Sequence, residues 1–403
     1  MIDNLTITSG VFILILIIAP CLRINSSSRK YLFLIVNIFL YTICLEGIIP
    51  FLAILIFINI PYVYMLLVRK YRLPLFPIIT LLLIMFIYMK GYIWIVKPVI
   101  GNDLLFLYKL LGLSYIFFKI IDILIHVNAG LIGQLEYINY INYLFSFWTI
   151  MAGPIQRYNE FINSFNANIQ EITQEESLKY LHRAANGFIK ILLLSVFFKN
   201  IADSRYDISL IEGFTKSRFL SIYYCIPLYL YFNFSGYCDV VIAMAKWAGF
   251  DIPENFDKPY LSRDMIDFWN RWHITMSQFL RDYVYQPLFK YYITHFLPKN
   301  VGIAQYVSIF VTFFLAGLWH GVTINFLIFG LLQGLGMSFS MIYRYSIRKY
   351  LGKLKYEKYV NNQKIVLIET FVCLHFICYT ALYYAYDVKT IFLAQLKILH
   401  ILY

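Results

Sequence analysis

PENFDKPYLSRDMIDFWNRWHITMSQFLRDYVYQPL, residues 253–288, is a polar, aromatic, charge-bearing run inside an otherwise very apolar chain. Shortly after it comes FVTFFLAGLWHGVTINF, residues 310–326, where His320 interrupts a hydrophobic segment. Apolar chains of this kind bury few ionisable groups unless those groups work. In the first run, Met265, Phe268, Trp269, Trp272, Met276, Phe279, Leu280, Tyr283 and Val284 fall at helical spacing. Asp264, Asn270, Arg271, Gln278 and Asp282 occupy the opposite face. The spacing predicts an amphipathic helix over 262–289 that lies along or dips into a membrane, with Ser262 as its N-cap.

The surroundings decide the class. The chain has 403 residues, of which 61% are hydrophobic and only 14% charged, and its mean hydropathy is +0.67. A soluble domain carries about 25% charged residues. Many segments are apolar for about 18 residues or more, enough for a bilayer core of about 30 Å. These features predict an all-α polytopic membrane protein in one membrane-embedded domain, residues 1–403. The net charge of +12 reads as cytoplasmic loops rich in Lys and Arg. No basic, water-soluble face for nucleic acid is visible. The six cysteines lack CxxC spacing and read as buried thiols. The N-terminus, with Asp3 and no basic start, is a poor signal peptide, so Val11–Cys21 reads as an anchor.

In chain order, Arg23–Lys30 reads as a basic serine-rich loop. Tyr31–Val68 is too long for one span, and Glu46, Gly47 and Pro50 divide it into a helical hairpin. That brings Arg69, Lys70 and Arg72 back to the side of the first basic loop, the cytoplasmic side by the positive-inside rule. Spans are expected over 77–96 and 104–127, the second carrying Lys119, Asp122 and His126. Those charges face a bundle interior, or Lys119 and Asp122 pair along one helical face. Gly153-Pro154 within AGPIQRY, residues 152–158, is a turn, with Arg157 at an interface. Asn159–Lys179 reads as a surface loop and short amphipathic helix starting near Glu175 and Glu176. Further helices are expected over 181–201, 219–232 continuing to 250, 304–318, 322–342 and 365–386, with Arg344–Lys358 as a basic loop. No internal repeat supports a transporter built on inverted repeats.

His320 is the strongest candidate for chemistry. A neutral imidazole accepts a proton from a hydroxyl and releases it near physiological pH. The plain alternatives are a histidine hydrogen-bonded between helices or an interfacial one. His273, between Trp272 and Ile274, reads on its own as interfacial. P-loop, HExxH, GxSxG and dinucleotide motifs are absent, and the seven histidines show no metal-ligand spacing.

Taken together, the runs FSGYCD (234–239), PENFDKPYLSRD (253–264), FWNRWHITMSQFLRDYVYQPL (268–288) and GLWHG (317–321) resemble the membrane-bound O-acyltransferases, with AGPIQRY as a companion. Within them the chain is similar to the bacterial group typified by the membrane subunits of alginate O-acetylation and teichoic acid D-alanylation. The resemblance implies a bundle of about ten transmembrane helices, each needing roughly 20 residues, with amphipathic or re-entrant helices around a central funnel or tunnel. Its motif-bearing core is expected over about 110–342. It implies His320 as the catalytic histidine and His273 as a second functional one. Trp319 and Trp272 are expected to wall the site and Asn270, Arg271 and Asp282 to orient it, while Ser235, Tyr237 and Asp239 either allow close helix packing, the favoured reading of those residues alone, or line the tunnel. No bound cofactor is expected. The donor is a cytoplasmic acyl thioester, acetyl-CoA or an acyl-carrier protein. The acceptor is an exported polysaccharide, reached through a periplasmic or extracellular partner, and the location is the bacterial plasma (inner) membrane. AGPIQRY and FSGYCD make acetyl transfer to a cell-surface glycan the expected reaction, whereas FWNRWH and LHFICY (374–379) lean toward D-alanyl transfer to teichoic acid-type polymers, the runner-up. The glycine-rich element of the alginate branch is missing at 289–299. A channel or transporter is the distant alternative.

Overall fold

Within a bilayer no water serves the backbone, so each apolar run must satisfy its own N–H and C=O groups, and a helix does so within one segment. The computed structural model describes residues 22, 26–43, 48–90, 112–167, 171–203, 215–321 and 323–398. Regular structure among them is helical, apart from one isolated antiparallel bridge between Phe256 and Trp272. Six helices among the described residues are long and apolar enough to cross a membrane: 48–71, 174–202, 216–247, 301–320, 324–360 and 363–385. The chain is an all-α, multi-pass membrane protein. The expected anchor Val11–Cys21, Cys21 and Cys44, the dividing residues Glu46 and Gly47, and the segment 91–111 lie outside the described residues.

The chain divides into two compact units, Met1–Phe188 with Tyr237–Pro253, and Ile189–Gly236 with Glu254–Tyr403. The first holds α1 (Ser26–Ile43), α2 (Ile48–Tyr71), α3 (Phe76–Met89), α4 (Leu113–Asn128), α5 (Tyr137–Phe145) and α6 (Tyr158–Asn166). Its core is aromatic: Phe33 of α1 meets Phe147, Phe161, Phe165 and Phe250 with ring centroids 5.0–6.4 Å apart. The expected loop over Arg23–Lys30 is corrected here. From Ser26 the chain is already helical, and Arg29 is fully buried. Its guanidinium is held by the Phe165 carbonyl and lies 5.3 Å and 5.2 Å from the rings of Phe165 and Phe250. A cation so enclosed replaces water with carbonyl and π-face contacts.

Lys119 and Asp122 are both buried, but their main partners are not each other. Lys119 Nζ donates to the Tyr143 carbonyl and to Thr149 Oγ1, each at 2.7 Å. Asp122 accepts from Arg157 Nη1 at 3.2 Å and from the Tyr158 backbone N–H at 2.9 Å. Arg157, expected at an interface, is therefore the counter-charge of a buried carboxylate, and it fastens the AGPIQRY turn to α4.

Next in the chain are α7 (Gln174–Ile189), a π-turn over Lys190–Ser195, α8 (Val196–Asp203) and α9 (Lys216–Trp247). The α7 start is set as its acidic residues predicted. Glu176 Oε2 accepts from Thr173 N–H at 3.0 Å while Thr173 Oγ1 accepts from Glu176 N–H at 3.2 Å, a reciprocal capping box.

The expected single amphipathic helix over 262–289 is broken into α10 (Met265–Arg271), α11 (Ile274–Leu280), a π-turn over Arg281–Tyr285 and α12 (Gln286–His295). The N-cap is Asp264, whose Oδ1 accepts from Asp267 N–H at 2.9 Å, not Ser262. Last come α13 (Val301–His320), α14 (Ile324–Val360), α15 (Gln363–Ala385) and α16 (Val388–Ile398). The expected loop at Arg344–Lys358 is instead the continuation of α14, because Lys and Arg are good helix formers. The helix is kinked only at Gly352, whose φ is 68°. Cys225, Cys238, Cys373 and Cys378 are buried.

Candidate functional site

The second unit carries both candidate histidines, and the packing of α13 against α14 places the first. Gly317 and Gly330 face each other across this hairpin. A Cβ on Gly317 would stand 2.5 Å from the Phe326 carbonyl oxygen, and one on Gly330 would stand 2.5 Å from that of Phe313. Only hydrogen fits at either position, so the two backbones approach as closely as small residues allow. His320 is the last residue of α13, three residues beyond that crossing. Its ring lies in an aromatic box. Trp319 is 4.5 Å away, Tyr384 of α15 meets it edge-on at 5.0 Å, and Phe326 and Phe329 each lie at 6.0 Å.

His273 occupies the break between α10 and α11. Its backbone is left-handed, with φ 45° and ψ 52°. A side chain there costs on the order of 1–3 kcal/mol, so neighbouring contacts must hold it. They are supplied by the PENFDKPY run. Asp257 N–H donates to the Arg271 carbonyl at 2.9 Å and Ile274 N–H to the Asn255 carbonyl at 3.0 Å, around the Phe256–Trp272 bridge. Arg271 adds ion pairs to Asp267 at 2.8 Å and to Asp257 at 3.6 Å. The imidazole is buried and lies edge-on to Phe234 at 4.8 Å. Burial pushes it down to about 3, with His320 acting in the same direction. His273 is therefore neutral at physiological pH, and the two histidines are close enough to sense each other's charge.

Both histidines share a scaffold. Trp269 Nε1 donates to Gln333 Oε1 at 3.2 Å, and Gln333 Nε2 donates to Thr380 Oγ1 at 2.9 Å, joining α10, α14 and α15. Met265 N–H donates to Ser340 Oγ at 3.2 Å. The same α14 that receives α13 at Gly330 thus carries α10.

Of the other expected site residues, Trp319 is beside His320. Trp272 lies in a separate aromatic knot with Phe256 at 5.1 Å and Phe268 at 5.6 Å. Arg271 fastens the turn, Asn270 is exposed, and Asp282 pairs with Arg281 at 3.0 Å. Ser235 is buried next to Phe234, and its Oγ has no hydrogen-bond partner among the described residues. Tyr237 and Asp239 belong to the first unit, where Asp239 pairs with Arg183 at 3.0 Å. Residue-by-residue reading missed Asn255, Tyr384, Phe326 and Phe329. Asn255 stood inside a quoted run, but no spacing rule singles it out. Among the described residues no three of His, Cys, Asp and Glu gather as a metal site requires.

The profile of the membrane-bound O-acyltransferase family matches residues 75–385. Among curated proteins, the teichoic acid D-alanyltransferase of Bacillus subtilis is 30% identical over 279 residues, 68% of this chain and 68% of that protein. The peptidoglycan O-acetyltransferase of Helicobacter pylori is 29% identical over 229 residues, 57% of this chain and 42% of that protein. A probable alginate O-acetylase of Pseudomonas syringae pv. tomato is 30% identical over 229 residues, again 57% of this chain and 42% of its own length.

Proposed function

Because this chain belongs to the membrane-bound O-acyltransferase family and is an acyltransferase, we propose that it moves an acyl group from a cytoplasmic thioester to hydroxyls of an envelope polymer, with His320 as general base. The observation that carries this reading is the half-buried imidazole of His320 at a helix end, boxed by aromatic rings and near enough for its charge to reach a neutral His273. A hydroxyl is a weak nucleophile at neutral pH. His320 takes its proton as the oxygen attacks the thioester carbonyl. The new C–O bond forms, the C–S bond breaks, and the proton passes to the departing thiolate. General base catalysis of this kind is worth about 10²–10⁴-fold, and an aromatic, water-poor surround protects the thioester from hydrolysis.

The location is the bacterial plasma (inner) membrane. The donor is acetyl-CoA or an acyl-carrier protein, and an extracytoplasmic partner completes delivery to the polymer. Two acyl groups are in play. AGPIQRY and FSGYCD favour acetyl. The extent of the match favours D-alanyl, since 68% of both chains aligns with the D-alanyltransferase, while the peptidoglycan and alginate O-acetylating proteins extend well beyond the matched region.

The test is a strain carrying His320→Ala. The variant is expected in the membrane at wild-type level with ester-linked acyl groups absent from the envelope polymers. Wild-type acyl content would overturn the proposal. Mild alkaline release followed by mass spectrometry, compared between wild type and deletion strain, identifies the group as acetate or D-alanine.

A further inference from the structure

We infer that Asn255 is a positioning residue for this reaction: it fixes His273 as the tautomer protonated on Nδ1 and leaves Nε2 as a bare hydrogen-bond acceptor. The inference rests on His273 belonging to the transfer site. Asn255 is fully buried. Its Oδ1 lies 3.2 Å from the backbone N of Thr275, 2.9 Å from Thr275 Oγ1 and 3.2 Å from His273 Nδ1.

The Thr275 backbone N–H only donates. The amide atom facing it must therefore be the carbonyl oxygen, because an NH₂ group there would set donor against donor. That removes the usual ambiguity between the two ends of an asparagine amide. The same oxygen only accepts, so the hydrogen between it and His273 resides on Nδ1. A neutral imidazole carries one N–H, and burial keeps this imidazole neutral. Nε2 is then left with its lone pair, and it makes no hydrogen bond among the described residues.

Asn255 also holds the strained turn from both sides. Its backbone carbonyl accepts from Ile274 N–H at 3.0 Å, while its side chain serves Thr275 and His273. Phe234 braces the ring edge-on at 4.8 Å with 88° between planes. Among the described residues, the uncharged Asn255 and Phe234 face His273 from other elements, and His320 is a titratable group whose charge reaches it. The chemical consequence is directional. From Nε2, His273 cannot donate to a developing oxyanion. It accepts from an O–H or N–H of a bound substrate, orienting that group while His320 removes the proton.

The decisive readout is spectroscopic. Full-length protein labelled with ¹⁵N-histidine in micelles, with the His273 signals assigned through His273→Gln, is expected to show a protonated Nδ1 and a bare Nε2. An Nε2–H tautomer overturns the inference. Asn255→Asp supplies the second test. A carboxylate still accepts from Thr275, and the Asn255 backbone carbonyl is untouched, so the turn survives. The new charge beside Nδ1 draws a second proton onto the ring, raising its titration midpoint from about 3 by about 1–3 units, to about 6 at most. In cells held at about pH 5, where such a ring is about nine-tenths protonated, ester-linked acyl groups on the envelope should then fall about tenfold relative to wild type at the same pH, at unchanged protein level. A purely structural asparagine would be replaced by aspartate without loss, so full acylation with His273 protonated also overturns it. Wild-type acylation in His273→Gln would instead strike at the role of His273 itself, since the tautomer is read without any transfer taking place.

Discussion

Gly317→Ala tests whether the close crossing of α13 and α14 is what places His320. The added Cβ would sit 2.5 Å from the Phe326 carbonyl oxygen, 3.2 Å from Gly330 Cα and 3.3 Å from Gly330 N. These are backbone atoms, so no side chain can swing aside. Reaching an ordinary contact of about 3.5 Å requires the hairpin to open by roughly 1 Å. Overpacking of this kind costs about 1–3 kcal/mol, partly offset by about 0.8–1 kcal/mol from the better helix propensity of alanine. The larger effect falls on chemistry, since a misplacement of about 1 Å is enough to lower a rate about 10²-fold. The expected outcome is a protein present in the membrane, modestly less heat-stable in micelles, with ester-linked acyl groups on the envelope down by about that factor. Gly302→Ala on the same helix is the control, because its Cβ would meet only the Tyr306 side chain at 3.7 Å. Gly330→Ala should resemble Gly317→Ala. Combining them should lose less stability than the sum of the singles, since one opening relieves both clashes. Wild-type acylation in Gly317→Ala, or strict additivity of the pair, would refute the reasoning.

Two further perturbations follow from named contacts. The folded-state pKa of His273 is depressed to about 3 from an ordinary value of about 6.5. In that window the unfolded chain binds one more proton than the folded one, so stability is lost as pH falls below about 6.5. Between pH 6.5 and 5 the loss is at most about 2 kcal/mol, read as a lower unfolding temperature in micelles, and His273→Gln should abolish that part of it. Lys119→Met should strip the Tyr143 carbonyl and Thr149 Oγ1 of their buried donor. Thr149 Oγ1 keeps its bond to the Ser146 carbonyl, so the loss falls mainly on the Tyr143 carbonyl. An orphaned buried acceptor costs about 1–3 kcal/mol, so the variant should unfold a few degrees earlier, and an unchanged unfolding temperature would contradict that network.

Composition and hydrophobic run length determined the class of this protein, because lipid leaves a long apolar segment no option but a helix with its own backbone bonds satisfied. Turn and cap chemistry was equally legible. Glu176 marked the start of α7, and the division of the first long apolar run agrees with separate helices at 26–43 and 48–71. His320 and His273 stood out as ionisable groups in apolar company. Other features depend on partners distant in the chain. Periodicity predicted one helix through residue 273. The structure breaks it there because Asn255 and Asp257, far back in sequence, bond to Ile274 and Arg271 and hold a left-handed turn. Arg29 read as a loop cation until Phe165 and Phe250 enclosed it. Tyr384 carries no signal of its own and becomes part of the site only because α15 lays it against His320. Local pattern reports what a segment does with its own neighbours, while the tautomer of a histidine and the walls around another are set by contacts that exist only once the helices have packed.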